Sequence, residues 1–257
     1  MTTIRILGSC SGTEPMPGRA HTSLAFTVGD RLYFFDAGES CSRAAHLAGL
    51  DALKTRAIFI SHTHYDHIGG LAGLFWLMTK LSSVTGRPVA DGEVKLLIPD
   101  LEVWESVKNM LVNTDSSFTK NYKVTVGTPQ LGKFYEDENI RVSAFPSYHL
   151  PDGADGRCRS FSYRIEMEGK VVVFSGDVRS PQDLASVVGD GCDILLCETG
   201  HHPVKSVCDF AESHPVGHLI FTHHGREVLY EKPSVNEAVQ TCKIPVALSF
   251  DGFEIQV

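Results

Sequence analysis

Short apolar runs rich in β-branched and aromatic residues recur along the whole chain, separated by turn residues. That pattern predicts strands. They fall at residues 4–7, 23–28, 31–35, 57–60, 95–98, 122–126, 140–145, 161–166, 171–174, 193–197, 219–222 and 246–250. Residues 161–166 and 171–174 read as a hairpin whose turn contains Gly169. Helical spacing appears elsewhere. Leu71, Leu74, Phe75, Met78 and Leu81 follow Gly69 and Gly70 at that interval. Asp100 can cap a helix burying Val103, Trp104, Val107, Met110 and Leu111. Ser180 and Asp183 resemble a capping box with Pro181 at the first helical position. Pro203 opens a helix using Val204, Val207, Cys208 and Ala211. Mixed strands and helices predict an α/β chain in which two stacked sheets are covered by helices. With no internal repeat or linker, residues 1–257 read as one domain.

Composition narrows the classes. Hydrophobic residues make up 42% and charged residues 21% of the 257, enough for a large buried core. No apolar run approaches the roughly 18–20 residues that span a bilayer, and no signal-peptide pattern opens the chain. The net charge is −8, against the basic stripe that long nucleic acids require. Arg157, Arg159 and Arg164 read as a solvated local cluster. Seven scattered cysteines without a CxxC pair indicate free thiols and a cytoplasmic setting. The expected partner is a small-molecule substrate, with no membrane; a homodimer is compatible.

The chemistry concentrates at Ser61-His62-Thr63-His64-Tyr65-Asp66-His67-Ile68-Gly69-Gly70. Three imidazoles and a carboxylate within six residues gain nothing in a core unless something satisfies their lone pairs. These are the usual ligands of zinc and its neighbours. In an extended segment, positions two apart point the same way, so His62 and His64 can share one ion. Asp66 and His67, where the helix begins, can address a second.

His149, Asp177 and His223 each lie just beyond the C-terminal end of a predicted strand, as His62 does, the rim where α/β proteins place their sites. Singly, each is an ordinary turn residue. Together with residues 62–67 they supply five His and two Asp, enough for two divalent ions if Asp177 bridges them. Zinc is foremost, with manganese and iron also suited. Asp36 is either a carboxylate orienting a ligand His or a turn residue capping the next helix. His21, His46, His214, His218 and His224 read as structural, and the cysteines as small core residues. Phe75 and Trp76 read as core before pocket wall.

The chain resembles the metallo-β-lactamase superfamily through HTHYDH at 62–67, His149, the SGD ending in Asp177 and the THH containing His223. The likeness runs from LGSCSG at 7–12 to SFDGFEI at 249–255. It implies a four-layer αββα sandwich of two mixed β-sheets flanked by helices. It also implies that His62, His64 and His149 hold one metal, and Asp66, His67 and His223 the other. Asp177 and a hydroxide would bridge them, and Asp66 would orient that hydroxide or take its proton.

Within the superfamily, LGSCSGTEPMPGR, FFDAGE and the segment from Asp193 to His201 are similar to ribonuclease Z and related phosphodiesterases. There a glutamate and a histidine act together to protonate the leaving oxygen. Glu198 and His201 match those residue types, with His202 a rival donor. The longer segment that separates the two motifs in ribonuclease Z is missing here, and so is its tRNA arm. A small phosphodiester, such as a cyclic nucleotide or nucleotide-like metabolite, is therefore the expected substrate, and Arg179 or Arg226 could touch its phosphate. The alternatives are hydrolysis of a lactone, thioester or other carboxyl ester, and a metal-containing sensor or binding module without turnover.

Overall fold

A computed structural model describes residues 2–14, 16–114, 118 and 122–257. The chain falls into two compact units, Met1–Gly8 with Pro17–Pro129 and Asp251–Val257, and Ser9–Met16 with Gln130–Phe250. The first unit contains β1 (Thr3–Gly8), β2 (Ser23–Val28), β3 (Arg31–Ala37), α1 (Cys41–Leu47) and β4 (Thr55–Phe59). It continues with α2 (Tyr65–Ile68), α3 (Leu71–Thr85), β5 (Glu93–Leu97), α4 (Leu101–Thr114) and β6 (Lys123–Gly127). The second unit holds β7 (Gly132–Glu136), β8 (Ile140–Pro146), β9 (Phe161–Met167), β10 (Lys170–Phe174), α5 (Ala185–Val188) and β11 (Cys192–Glu198). After these come α6 (Val204–Glu212), β12 (Val216–Thr222), α7 (Arg226–Leu229), α8 (Pro233–Thr241) and β13 (Val246–Leu248). The chain returns to the first unit for β14 (Glu254–Gln256).

Each unit is built on one mixed seven-stranded sheet, in the orders β14-β1-β2-β3-β4-β5-β6 and β13-β12-β11-β10-β9-β8-β7. In the first, β14, β1, β2 and β3 pair antiparallel while β3 to β6 run parallel. In the second, β7 to β10 pair antiparallel and β10 to β13 run parallel. Parallel neighbours need crossovers, and helices supply them. The helices bury one face of their own sheet. In the first unit Phe34, Ile58 and Leu96 meet Leu74, Phe75 and Met78; in the second Leu195, Leu219 and Phe221 meet Val204, Val207 and Phe210. Two mixed sheets flanked by helices are thus as expected.

All twelve expected strand segments lie at strands, eleven of them within two residues at either end; the remaining one, 219–222, starts three residues after β12 begins. The two strands the pattern misses, β7 and β14, are sheet edges with mostly exposed residues, so neither carries a sustained apolar run. The hairpin turn is two residues, Glu168 (φ 47°) and Gly169 (φ 77°). Two left-handed residues match the strand twist.

Four local expectations are corrected. In α4, Trp104 and Leu111 are buried but Met110 is 52% exposed. At 3.6 residues per turn it sits about 120° around the helix from Trp104. The capping box at Ser180 does not form. Ser180 Oγ accepts from Gln182 N at 3.3 Å, a 3₁₀ turn covers Pro181–Leu184, and the Asp183 carboxylate bonds Arg179. Arg164 is no solvated charge: its Nη1 donates to the carbonyls of Val187, Val188 and Gly191 at 2.8–3.1 Å, closing the end of α5. Finally, His218 lies inside β12 rather than before it. Among the described residues, no helix is long and apolar enough to cross a membrane.

Candidate metal centre

In the first unit, β3 and the exit of β4 are parallel neighbours, which brings Asp36 beside Ser61. The Asp36 carboxylate accepts from Ser61 N at 2.7 Å, from Ser61 Oγ at 2.8 Å and from His67 Nδ1 at 2.7 Å. Asp36, Ser61, His62 and His67 are all buried. Of the two readings left open for Asp36, orientation of a histidine is the one observed. Binding the Nδ1 side of His67 leaves Nε2 facing Asp66 Oδ2 at 3.4 Å, the arrangement by which carboxylates fix metal-ligating imidazoles. His64 precedes α2 in extended backbone, and its ring lies 4.6 Å from that of His62, so the two-apart spacing does group them.

Two glycines make this loop possible. A Cβ on Gly38 would meet the Asp66 carbonyl oxygen at 2.3 Å, and one on Gly70 would meet the Gly38 carbonyl oxygen at 2.1 Å. The turn after β3 and the start of α3 pack backbone to backbone, which only glycine permits. Ser61 is the participant that sequence reasoning missed; a hydroxyl residue after a strand carries no signal of its own.

In the second unit, the ligand candidates His149, Asp177 and His223 follow the C-terminal ends of β8, β10 and β12, and the expected proton-donating pair Glu198 and His201 lies at and after the end of β11. Asp177 is central. Its Oδ1 lies 3.3 Å from His223 Nε2, and its Oδ2 lies 3.6 Å from His149 Nε2 and 3.7 Å from His201 Nδ1. Ligands at about 2.0–2.1 Å from a tetrahedral ion stand about 3.3 Å from each other, so the two shorter separations suit atoms sharing an ion. One ligand atom each from Asp177, Glu198, His201 and His223 lies within 4.8 Å of the others. Imidazole and carboxylate donors at these spacings fit divalent cations.

His201 and His202 are distinguished here. His201 donates Nδ1–H to Glu198, at 3.0 and 3.1 Å to its two oxygens, and its backbone N–H donates to Oε2 at 2.8 Å. Glu198 is fully buried, also accepting from Val178 N at 3.1 Å, while the His201 side chain is 42% exposed. His202 instead turns Nε2 to the Val178 carbonyl at 2.9 Å. The exposed imidazole on a buried carboxylate is His201.

Gly200 lets His223 in, since a Cβ there would meet its Nδ1 at 2.6 Å. His223 itself has φ 47°, a left-handed conformation uncommon outside glycine, though histidine takes it more readily than most residues. His224 is buried with Nδ1 beside Thr199 Oγ1 at 3.1 Å and Nε2 donating to the Ser249 carbonyl at 2.9 Å. His214 Nδ1 donates to the Phe210 carbonyl at 2.8 Å. These last two are structural, as expected. Arg226 holds Glu14, and Arg179 lies over the ring of Tyr148. All seven cysteines are free thiols. Burial pushes the Cys41 thiol up to about 12 and raises that of Cys197 further, as befits core atoms rather than nucleophiles.

The family described as Anti-Pycsar protein Apyc1 matches over residues 2–208. A ribonuclease Z from Methanothermobacter thermautotrophicus is 26% identical over 281 aligned positions, covering 87% of this chain and 86% of that protein. Among solved structures, the metallo-beta-lactamase fold protein YhfI from Bacillus subtilis aligns with a TM-score of 0.76 at 18% identity, covering 99% of this chain and 98% of its own. Human tRNase Z, short form, aligns with a TM-score of 0.70 at 20% identity over 99% of both chains. The fold is therefore the metallo-β-lactamase fold, as the resemblance implied.

Proposed function

The chain belongs to the Anti-Pycsar protein Apyc1 family and is a metal-dependent hydrolase of the metallo-β-lactamase superfamily; from that premise we propose that it hydrolyses a small phosphodiester, a cyclic nucleotide or nucleotide-like metabolite. The ligand sets proposed are His62, His64 and His149 for one divalent ion and Asp66, His67 and His223 for a second, with Asp177 common to both. Zinc is the favoured metal. Divalent ions held by these residues would lower the pKa of a coordinated water and offset charge on the phosphoryl oxygens.

The chain's own groups then divide the work. Asp66 orients the attacking water and takes its proton. Asp36 fixes the ring of His67 through Nδ1. Glu198 holds Nδ1–H of His201, which keeps the imidazole oriented. His201 delivers a proton to the leaving oxygen.

The observation that carries the phosphodiester reading is this Glu198–His201 pair, half open to solvent and 3.7 Å from Asp177. A thiolate leaves a thioester unaided, whereas the alkoxide of a ribose phosphodiester is a poor leaving group and needs a proton. Relatives named ribonuclease Z and tRNase Z support phosphodiester chemistry. A small substrate is favoured over RNA because the net charge is −8 and only residues 147–160 join β8 to β9, leaving no room for a long arm. Seven free thiols fit a cytoplasmic setting.

The test is turnover of the zinc-loaded protein on bis-p-nitrophenyl phosphate, a cyclic nucleotide panel and a lactone and thioester panel, with bound metal measured in parallel. Phosphodiester turnover that collapses in His201→Ala while metal is retained supports the proposal. Exclusive lactone or thioester turnover defeats it, and a protein holding no metal defeats the ligand assignment as well.

A further inference from the structure

Tyr148 and Arg179 form an exposed pair whose placement the hydrolytic machinery does not explain. Tyr148 directly precedes His149, and Arg179 follows Asp177 by two residues. The segments leaving β8 and β10 are joined here by an antiparallel bridge between Tyr148 and Val178, and Arg179 N donates to the Ser147 carbonyl at 3.0 Å. Tyr148 has φ 56°, a conformation that a bulky residue adopts only where its surroundings impose it. The residue is nonetheless 49% exposed, so core packing is not the return for that strain. The Arg179 guanidinium lies 4.7 Å from the ring centroid, held from behind by Asp183 Oδ1 at 2.9 Å.

A flat ring stacked on a flat cation, beside two candidate ligands whose atoms stand 3.6 Å apart, is a surface for a flat electron-rich partner. We propose that Tyr148 and Arg179 form the nucleoside subsite of the hydrolase, stacking the base of a nucleotide phosphodiester. The inference rests on the phosphodiester reading above and adds the substrate's base to it. Stacking tolerates any base, because every base presents a π-face; the subsite therefore selects nucleotides over base-free phosphodiesters without selecting one nucleotide sharply. The remaining guanidinium N–H groups of Arg179 are free to meet a base carbonyl or a phosphate oxygen.

The experiment compares a 3′,5′-cyclic nucleotide with methyl riboside 3′,5′-cyclic phosphate, which has the same ring and no base. Calorimetric binding of a nucleoside monophosphate and of ribose 5-phosphate is measured alongside. Wild type should prefer the base-bearing member of each pair about tenfold or more. Tyr148→Ala and Arg179→Ala should each erase most of that preference, through KM rather than kcat, while Tyr148→Phe keeps it. If Tyr148→Ala does not fold, Arg179→Ala and Tyr148→Phe still decide. A wild-type protein with no base preference, or one whose preference survives both alanine variants, overturns the subsite. Absent phosphodiester turnover with the base preference intact in binding overturns the reaction proposed above and leaves the subsite standing.

Discussion

Asp36 and His67 are joined through Oδ2 and Nδ1 at 2.7 Å, and neither side chain reaches solvent. The same carboxylate also holds Ser61 by backbone and hydroxyl. Asp36→Asn replaces one oxygen with a donor that faces donors. Metal affinity should fall about 10–100-fold, and stability should fall by about 1–3 kcal/mol from the buried groups left unmatched. Competitive metal titration and thermal unfolding check both.

His201→Ala should leave bound metal unchanged yet lower kcat by about 10²–10⁴, the usual reach of general acid catalysis. The loss should grow with leaving-group basicity, being small for p-nitrophenolate and large for an alkoxide. A loss equal for both leaving groups would assign His201 to binding instead.

At Gly200 a methyl group would sit 2.6 Å from His223 Nδ1 and 3.2 Å from Ser11 Cβ. Gly200→Ala should displace the imidazole, so the protein should purify with less metal while its far-ultraviolet circular dichroism stays native. Elemental analysis of the folded variant provides the check.

Arg164 ends α5 through three carbonyls. Arg164→Met removes those bonds and should cost about 2–3 kcal/mol, a drop of about 5–10 °C in Tm for a chain of this size. Turnover of the folded fraction should not change.

Burial lowers the pKa of His218 below its ordinary 6.5. The unfolded chain therefore binds a proton more readily than the folded one, so stability rises with pH across this window. The penalty is absent well above 6.5 and accrues as pH falls through that value. His218→Asn should flatten the loss of urea midpoint between pH 7 and pH 5; an unaltered slope would exclude this group as its source.

Much of the fold was legible because interior strands are continuous apolar runs: β11 and β12 announce themselves as DILLC and LIFT. Edge strands such as GKFYE in β7 bury little and leave no comparable mark. The ligand candidates stood out as a set, because each alone after a strand is an ordinary turn residue but five imidazoles and two carboxylates together are not. The supports did not. Ser61 and Ser175 are ordinary strand-end hydroxyls until the backbone brings them to Asp36 and Glu198. Nor could spacing separate His201 from His202, since the choice depends on which imidazole meets the carboxylate and which meets a carbonyl.

Among the non-glycine residues in left-handed backbone, Asp36, Tyr148 and His223 are those to which a metal support, a stacking ring and a ligand have been assigned. Selection for heat tolerance alone would drift toward asparagine at Tyr148 and His223, where the exchange relaxes the main chain, but not at Asp36, whose carboxylate is held by buried donors. Thermal resilience and activity would then part company, and a hardier descendant of this chain would be an emptier one.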